Sequence, residues 1–399
     1  MKNHLKRFLN IYTLGGTISV FLVIGFFVLI PVSLDAFDPL VSAYKDFELT
    51  DIYYSQLVNT DQIITDTNIV LINIDNFTDR RDISNLIEKI QRFEPKVVGL
   101  DILFRELRDS VIDLQLSREF SKWDNIVIVN KLYDTNSDNI FDTVQNSIPL
   151  FSAHTKNAYA DLIVDNDRGY RTIRDFLPFY RTEQDTFSAF TTQIVSMFNP
   201  EAFNRLRDRE NPVEIINYIG NERSFINLNI GDVLDSSNTE FSFLKNKIIL
   251  LGFLSLNSKC EQESFDDYFF TPLNKRYAGK SFPDLRGVVI HANIISLILR
   301  GDYIVILNYT VNLILQILFV FLNMIFFYYV EKKLKVLYDI VTKVVQVIES
   351  VFIVLIQLLF FSLFSFNFEI SIALLGLILS ADVYEAYASV IYKIKDRTK

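Results

Sequence analysis

The side chains in this sequence best suited to chemistry are two carboxylates and one imidazole. Asp75 closes the run "NIVLINID" and Asp101 follows "KVVGL", so both stand at the ends of apolar stretches that read as buried strands. Two carboxylates at the carboxyl edge of one sheet would bind a cation or a polar small molecule, or divide acid and base roles between them. The plainer reading gives each a helix cap or a loop amide. His291 lies in "GVVIHAN", beside Asn293 and downstream of Asp266 and Asp267. A general base needs an orienting partner and a nucleophile within reach. The sequence holds no G-x-S-x-G elbow and no neighbouring His, so a structural part in a helix starting near Ile290 is the stronger reading. Asp75, Asp101 and His291 are the candidate ligand-binding residues, and no catalytic set is expected.

Cofactors and metals find little support. His4 and His154 are isolated, and Cys260 is the only cysteine, which excludes a multi-cysteine metal site and an intrachain disulfide. No glycine-rich phosphate loop follows either strand. Arg168, Arg171 and Arg174 alternate with apolar residues and would form an anion site, but a solvated strand face explains them as well. The run Tyr268, Phe269 and Phe270 suits packing under a loop better than ligand stacking. A formal charge of −9 without a basic stripe argues against nucleic acid.

Strands and helices must hold these groups in place. "NIVLINID" and "KVVGLDILF" read as strands buried on both faces, and between them Ile83, Leu86, Ile87, Ile90 and Phe93 line one helical face, with Asp82 as cap. A right-handed crossover then pairs the strands in parallel. A second helix over residues 110–122 leads to a strand at 125–132, and "KIILLGF" joins the same sheet. Asp165 to Gly169 marks a hairpin, and residues 186–198 read as a helix. The expected fold is an α/β domain with a mostly parallel central sheet and an inserted antiparallel portion.

Four apolar blocks, at residues 11–30, 304–330, 344–366 and 370–391, have the length that crosses a hydrocarbon core. The first is too long for a signal-peptide core and lacks a small-residue cleavage site after it, so an uncleaved anchor is expected. Basic residues precede the first block, lie between the second and third, and end the chain, placing those segments in the cytoplasm. The layout is then an anchor in residues 1–31, an outer domain in 32–303, and a three-helix bundle in 304–399. Residues 32–303 fall outside the cytoplasm, in the periplasm if the cell has two membranes.

Polar residues inside the blocks carry information of their own. Asn308, Asn312 and Gln316 recur at helical spacing and should face another helix, either within the chain or across a self-dimer seam. Glu349, Asp382 and Glu385 are costly at depth and mark a pairing or functional contact. Only Lys343 or Lys393 could reach them by snorkelling. Alternatively the last block ends early and Asp382 and Glu385 face water at the inner interface.

Residues 68–104, the segments "DNDRGYRTI" and "LKNKIILLGF", and "TPL" followed by "GVVIHANIISLIL" resemble, in order, the type-two CHASE domain, an extracellular sensory module of bacterial signalling proteins. One leading membrane helix, an outer domain and three further helices fit that resemblance. Where the family often carries Trp-Pro-type residues after the first strand, this chain has "NFTDRRD". The resemblance implies a sensory, non-enzymatic protein of the bacterial inner membrane that signals through its helices. Because the chain stops shortly after its last span, the output is expected from a separate partner protein. The second expectation is an accessory subunit of a membrane assembly that binds no ligand.

Overall fold

The computed structural model describes residues 9–29, 48–58, 66–74, 79–136, 140–162, 172–182, 185–235, 241–254, 267–275 and 283–397. Contacts divide the chain into two units, Met1–Ser42 with Val305–Lys399 and Ala43–Ile304. Among the described residues, the first unit begins with helix α1 (Ile11–Leu29), and its other long helices follow the α/β unit in sequence.

After a short helical stretch at residues 49–57, two βα steps and a third strand begin the sheet of the α/β unit: β1 (Ile69–Asn73), α2 (Arg80–Gln91), β2 (Val97–Leu100), α3 (Ser110–Phe120) and β3 (Ile126–Tyr133). The helix α2 starts earlier than its sequence suggests. Asp79, not Asp82, is the cap and accepts from the Arg81 amide, while Asp82 lies in the first turn, where the helix dipole favours a carboxylate. Short strands β4 (Thr143–Gln145) and β5 (Lys156–Tyr159) follow, then α4 (Phe190–Phe198), α5 (Pro200–Asp208), β6 (Ile226–Asn229) and β7 (Ile248–Gly252). Asn199 ends α4 and caps α5 by accepting from the Glu201 and Ala202 amides.

The sheet order is β6-β1-β7-β2-β3-β5, all parallel, with β4 antiparallel to β3. The late strand β7 enters between β1 and β2, so the α2 crossover passes over one strand. Its residues are fully buried, the texture a central parallel strand needs. Alternation along the strands serves two helical layers. Val70, Ile72, Val98, Leu100, Ile249 and Leu251 share a core with Ile83, Leu86, Ile87 and Ile90 of α2 and with Leu116 and Phe120 of α3. On the other face, a Cβ on Gly99 would stand 2.7 Å from Ile194 Cδ1 of α4.

The antiparallel portion is small. Asp175–Phe176 pairs with Glu214–Ile215, and Phe179–Arg181 with Thr186–Ser188. The expected helix over residues 186–198 is therefore shorter: Thr186, Phe187 and Ser188 pair as a strand, and the Ala189 amide donates to Pro178 O before α4 begins. The hairpin expected at Asp165 to Gly169 lies outside the described residues.

A two-strand antiparallel ribbon, β8 (Tyr268–Phe269) with β9 (Leu285–Arg286), leads without a break into α6 (Gly287–Arg300). This helix is buried over residues 287–298 and packs closely on the sheet, where a Cβ on Gly252 would stand 2.6 Å from Val288 Cβ. It ends at Gly301, whose φ of 68° lets the amides of Gly301 and Asp302 close back on Leu297 O.

In the other unit, α7 (Tyr309–Lys333), α8 (Tyr338–Phe364) and α9 (Ser371–Arg397) are long and apolar enough to cross a membrane. The 19-residue α1 is shorter. Helix α9 packs against α1, α7 and α8. The core holds Val20, Ile24, Val320, Met324, Phe327, Ala381 and Tyr384. Small residues permit this approach: a Cβ on Gly15 would overlap the Tyr387 ring, and one on Gly376 would press on Val320. Most large apolar side chains of α8, among them Val344, Val347, Val351 and Leu355, are exposed.

Candidate functional site

Parallel sheets place polar groups where strands end, and several polar groups at this carboxyl edge serve the fold itself. Asn73 Oδ1 accepts from the Leu254 amide at 2.7 Å, and the Ile74 amide donates to Gly252 O. The Asp101 amide donates to Leu251 O, which fixes where the chain leaves β2. Together these contacts align the ends of β1, β7 and β2 around a depression.

That depression is a cavity of about 560 Å³. Its apolar wall is Ile74, Ile83, Ile102, Leu103, Phe104 and Phe253; its polar lining is Arg80, Asp101, Arg105, Arg108 and Asp267. The size and mixed lining are those of small-molecule sites. The ligands of open α/β sheets bind at this same edge.

An internal ion pair holds the wall formed by residues 101–108. Arg80 Nη1 donates to Asp113 Oδ1 at 2.6 Å, and Arg80 Nη2 donates to Glu106 O at 2.8 Å. The guanidinium stacks over Phe104 and Phe151, 5.4 Å from each ring centre. Asp113 Oδ2 accepts in turn from the Arg108 amide. Burial alone would raise Asp113, but these hydrogen bonds and the Arg80 charge hold its carboxyl below the ordinary value. Ser147 Oγ accepts from the Phe104 amide and completes the frame.

Asp101 and Asp267 behave differently. Both are half-buried, and neither accepts a hydrogen bond from a described residue. Burial raises the Asp101 carboxyl, and burial followed by the negative charge of Asp101 raises that of Asp267, with Arg286 pulling the other way. The Arg286 guanidinium is buried and stacks over Phe253 at 4.1 Å and over Tyr268 at 3.5 Å. Asp267 Oδ1 lies against the start of α6, 2.9 Å from where a Cβ on Gly287 would stand. The positive end of that helix faces the carboxylate. The two acids line one cavity, where a proton or a positively charged group would relieve their mutual repulsion.

Of the ligand-binding candidates, Asp101 lines this cavity. Asp75 lies outside the described residues. His291 is not among the cavity-lining residues; it is buried in α6 with its ring edge-on to Phe190 at 5.4 Å, and burial lowers it to about 4. Its neighbour Asn293 does the polar work of "GVVIHAN", accepting from the Ile219 amide and donating to Gly220 O and Val289 O. Of the three arginines, Arg174 forms an ion pair with Asp51, and Arg168 and Arg171 lie outside the described residues. Asp267 and Arg286 were legible only in part. Asp267 stands beside an aromatic run, and Arg286 is the one charge between Asp284 and Arg300 in a largely apolar segment.

The polar groups in the membrane-length helices take several places. Asn308 is the α7 cap, accepting from the Thr310 amide, and so stands outside the helix. Asn312 is buried, and Gln316 Oε1 accepts from the Ala373 amide at the start of α9. Asp382 pairs with Lys343 at 2.7 Å. Glu385 is exposed, and Glu349 Oε2 is buried without a hydrogen bond to a described residue. Tyr384, not foreseen from the sequence as a contact, donates to Glu331 Oε2 at 2.5 Å.

No curated protein and no solved structure matches the chain. The family model for the CHASE2 domain matches residues 18–326, most of the sequence, and that span holds the sheet, the cavity and α6. The chain thus belongs to the CHASE2 domain family, whose domain is an extracellular sensory module.

Proposed function

We propose that this is a multi-pass sensor of the bacterial inner membrane whose outer domain binds a small ligand in the cavity and passes the event through its helices to a separate effector. The observation that carries this reading is connectivity. Asp267 adjoins β8, whose partner β9 runs straight into α6, and α6 ends at Gly301, shortly before the long apolar helix α7. A ligand drawing Asp267 toward Asp101 acts on the start of that continuous path. Binding rather than catalysis is favoured because the cavity lining contains no Ser, Thr, Cys or His among the described residues.

In this reading α1 also crosses the bilayer. Its 19 residues span ~28 Å, close to the thickness of the hydrocarbon core. The basic clusters then put both termini and the α7–α8 loop in the cytoplasm and residues 32–303 outside it. The test uses single cysteines in a Cys260→Ser background, one at Gln145 and one at Lys335. A membrane-impermeant thiol reagent applied to intact cells, or to spheroplasts if there is an outer membrane, should label the first and spare the second. The reverse pattern would refute the topology and the sensory reading with it.

A further inference from the structure

We propose that the cavity takes a free α-amino acid, its ammonium group between Asp101 and Asp267 and its carboxylate toward Arg105 and Arg108. This rests on the ligand-binding reading above and adds the chemical class of the ligand.

The fold has already used some of the charges around this cavity. Arg80 is committed to Asp113 and Glu106 O. Arg105 and Arg108, which line the same cavity, are exposed and form no ion pair with a described residue. Asp101 and Asp267 likewise receive no hydrogen bond from a described residue. One cavity therefore presents two acids that accept no hydrogen bond from a described residue, Asp267 being partly offset by the Arg286 charge, and two guanidinium groups that form no ion pair with a described residue. A purely anionic ligand would bring its charge to the acids, where like charges repel. A bare metal ion would meet the guanidinium groups, and the described residues contain no cluster of three acidic, His or Cys side chains to hold it.

A dipolar ligand satisfies both ends. An ammonium group is a compact donor of three hydrogen bonds, suited to bridging two carboxylates, and a guanidinium fork matches a carboxylate. At about 560 Å³ the cavity leaves room for a side chain beside Ile102, Leu103 and Phe253. Those apolar neighbours favour amino acids with apolar side chains.

The test is thermal unfolding of the full-length protein in detergent with each of the twenty standard amino acids at millimolar concentration. At least one should raise the melting temperature by several degrees. Its matched amine, lacking the carboxylate, and its matched acid, lacking the ammonium group, should each do less. Asp101→Asn and Asp267→Asn should abolish the shift, and so should Arg105→Ala combined with Arg108→Ala, with the unliganded circular dichroism spectra of all three proteins unchanged. No shift with any amino acid, a shift that survives these substitutions, or an equal shift from a one-ended analogue would overturn the assignment.

An Ile102→Trp variant, which fills the cavity without a ligand, separates this failure from failure of the sensory reading. If it alters disulfide cross-linking between cysteines placed in α7 and α9 while no amino acid shifts the melt, the sensory reading stands and the ligand class falls. If amino acids bind but neither they nor Ile102→Trp alter the cross-links, the class stands and the sensory reading falls.

Discussion

In the membrane-length helices, Gln346 Nε2 donates to Leu377 O and Ile378 O, Gln357 Nε2 donates to Phe368 O, and Gln316 Oε1 accepts from the Ala373 amide. At the sheet edge of the α/β unit, Asp101 and Asp267 face a cavity and accept from no described donor. The first arrangement uses polar groups to tie α7 and α8 to α9, because an amide in hydrocarbon has no water to turn to. The second leaves charge uncommitted beside a frame that is fully tied. The difference separates groups that hold a structure together from groups available to a ligand, a distinction that residue type alone does not make.

The sharpest way to break this comparison is to remove a committed charge from the frame. Asp113→Ala leaves Arg80 buried without its partner and should destabilise the α/β unit by about 3–5 kcal/mol, read as a lower urea midpoint. Asp101→Asn, at the start of the same wall, should leave stability at pH 7 unchanged or improved. Equal losses from the two substitutions would erase the distinction between frame and site.

The acids can also be told apart by pH. A carboxyl raised in the fold keeps its proton where the unfolded chain has lost it, so its contribution declines as pH rises from 3.8 toward the native value of about 7 for Asp267. His291 works in the opposite direction. It is lowered from 6.5 to about 4, so the unfolded chain takes up a proton first as pH falls, and stability rises with pH between those values. Asp267→Asn removes only the declining part. Relative to the parent, the variant should gain stability steadily from pH 4 to 7, by no more than ~1.4 kcal/mol per pH unit, and less for a half-buried group. A pH-independent difference in unfolding free energy would show that Asp267 carries no raised charge cost.

Among the committed amides, Gln346→Leu tests the other half of the comparison. Losing its bonds to the α9 carbonyls should cost about 0.6–1.7 kcal/mol, the range for polar contacts between membrane helices. Disulfide cross-linking between cysteines in α8 and α9 should weaken with it, and unchanged cross-linking would show that apolar packing alone holds α8.

How much of this was legible follows from range. The strands β1, β2, β3 and β7 and the helices α2 and α3 were readable because apolar periodicity is local. The sheet's location for Asp101 followed too, since it needed only the end of a strand. That β7 would enter between β1 and β2 was not readable, because pairing partners far apart in sequence leave no local mark. Asp267 and Arg286 were missed as site groups for the same reason: their significance comes from Asp101, more than 160 positions away. In the membrane-length helices, Asn312 and Gln316 of the spaced polar residues are buried, with Gln316 accepting from the Ala373 amide, whereas Asn308 precedes the helix, since its side chain caps α7.

The smallest expected effect concerns Lys343 and Asp382, where the sequence allowed either a buried charge cluster or an interfacial one. The structure pairs them at 2.7 Å, yet the side chains remain 54% and 64% exposed. Lys343 lies five residues into α8, about 8 Å along its axis, near the basic stretch Lys332, Lys333 and Lys335. A lysine that close to a helix end extends into the headgroup layer, where water and salt screen the pair. Lys343→Ala should therefore shift stability by no more than about 1 kcal/mol, with the difference shrinking further as salt is added. Depth in hydrocarbon would give a different result, because an unpaired Asp382 would then be stranded and the loss would be several kcal/mol and insensitive to salt. Melting curves of the parent and the variant at low and high salt decide between the two depths.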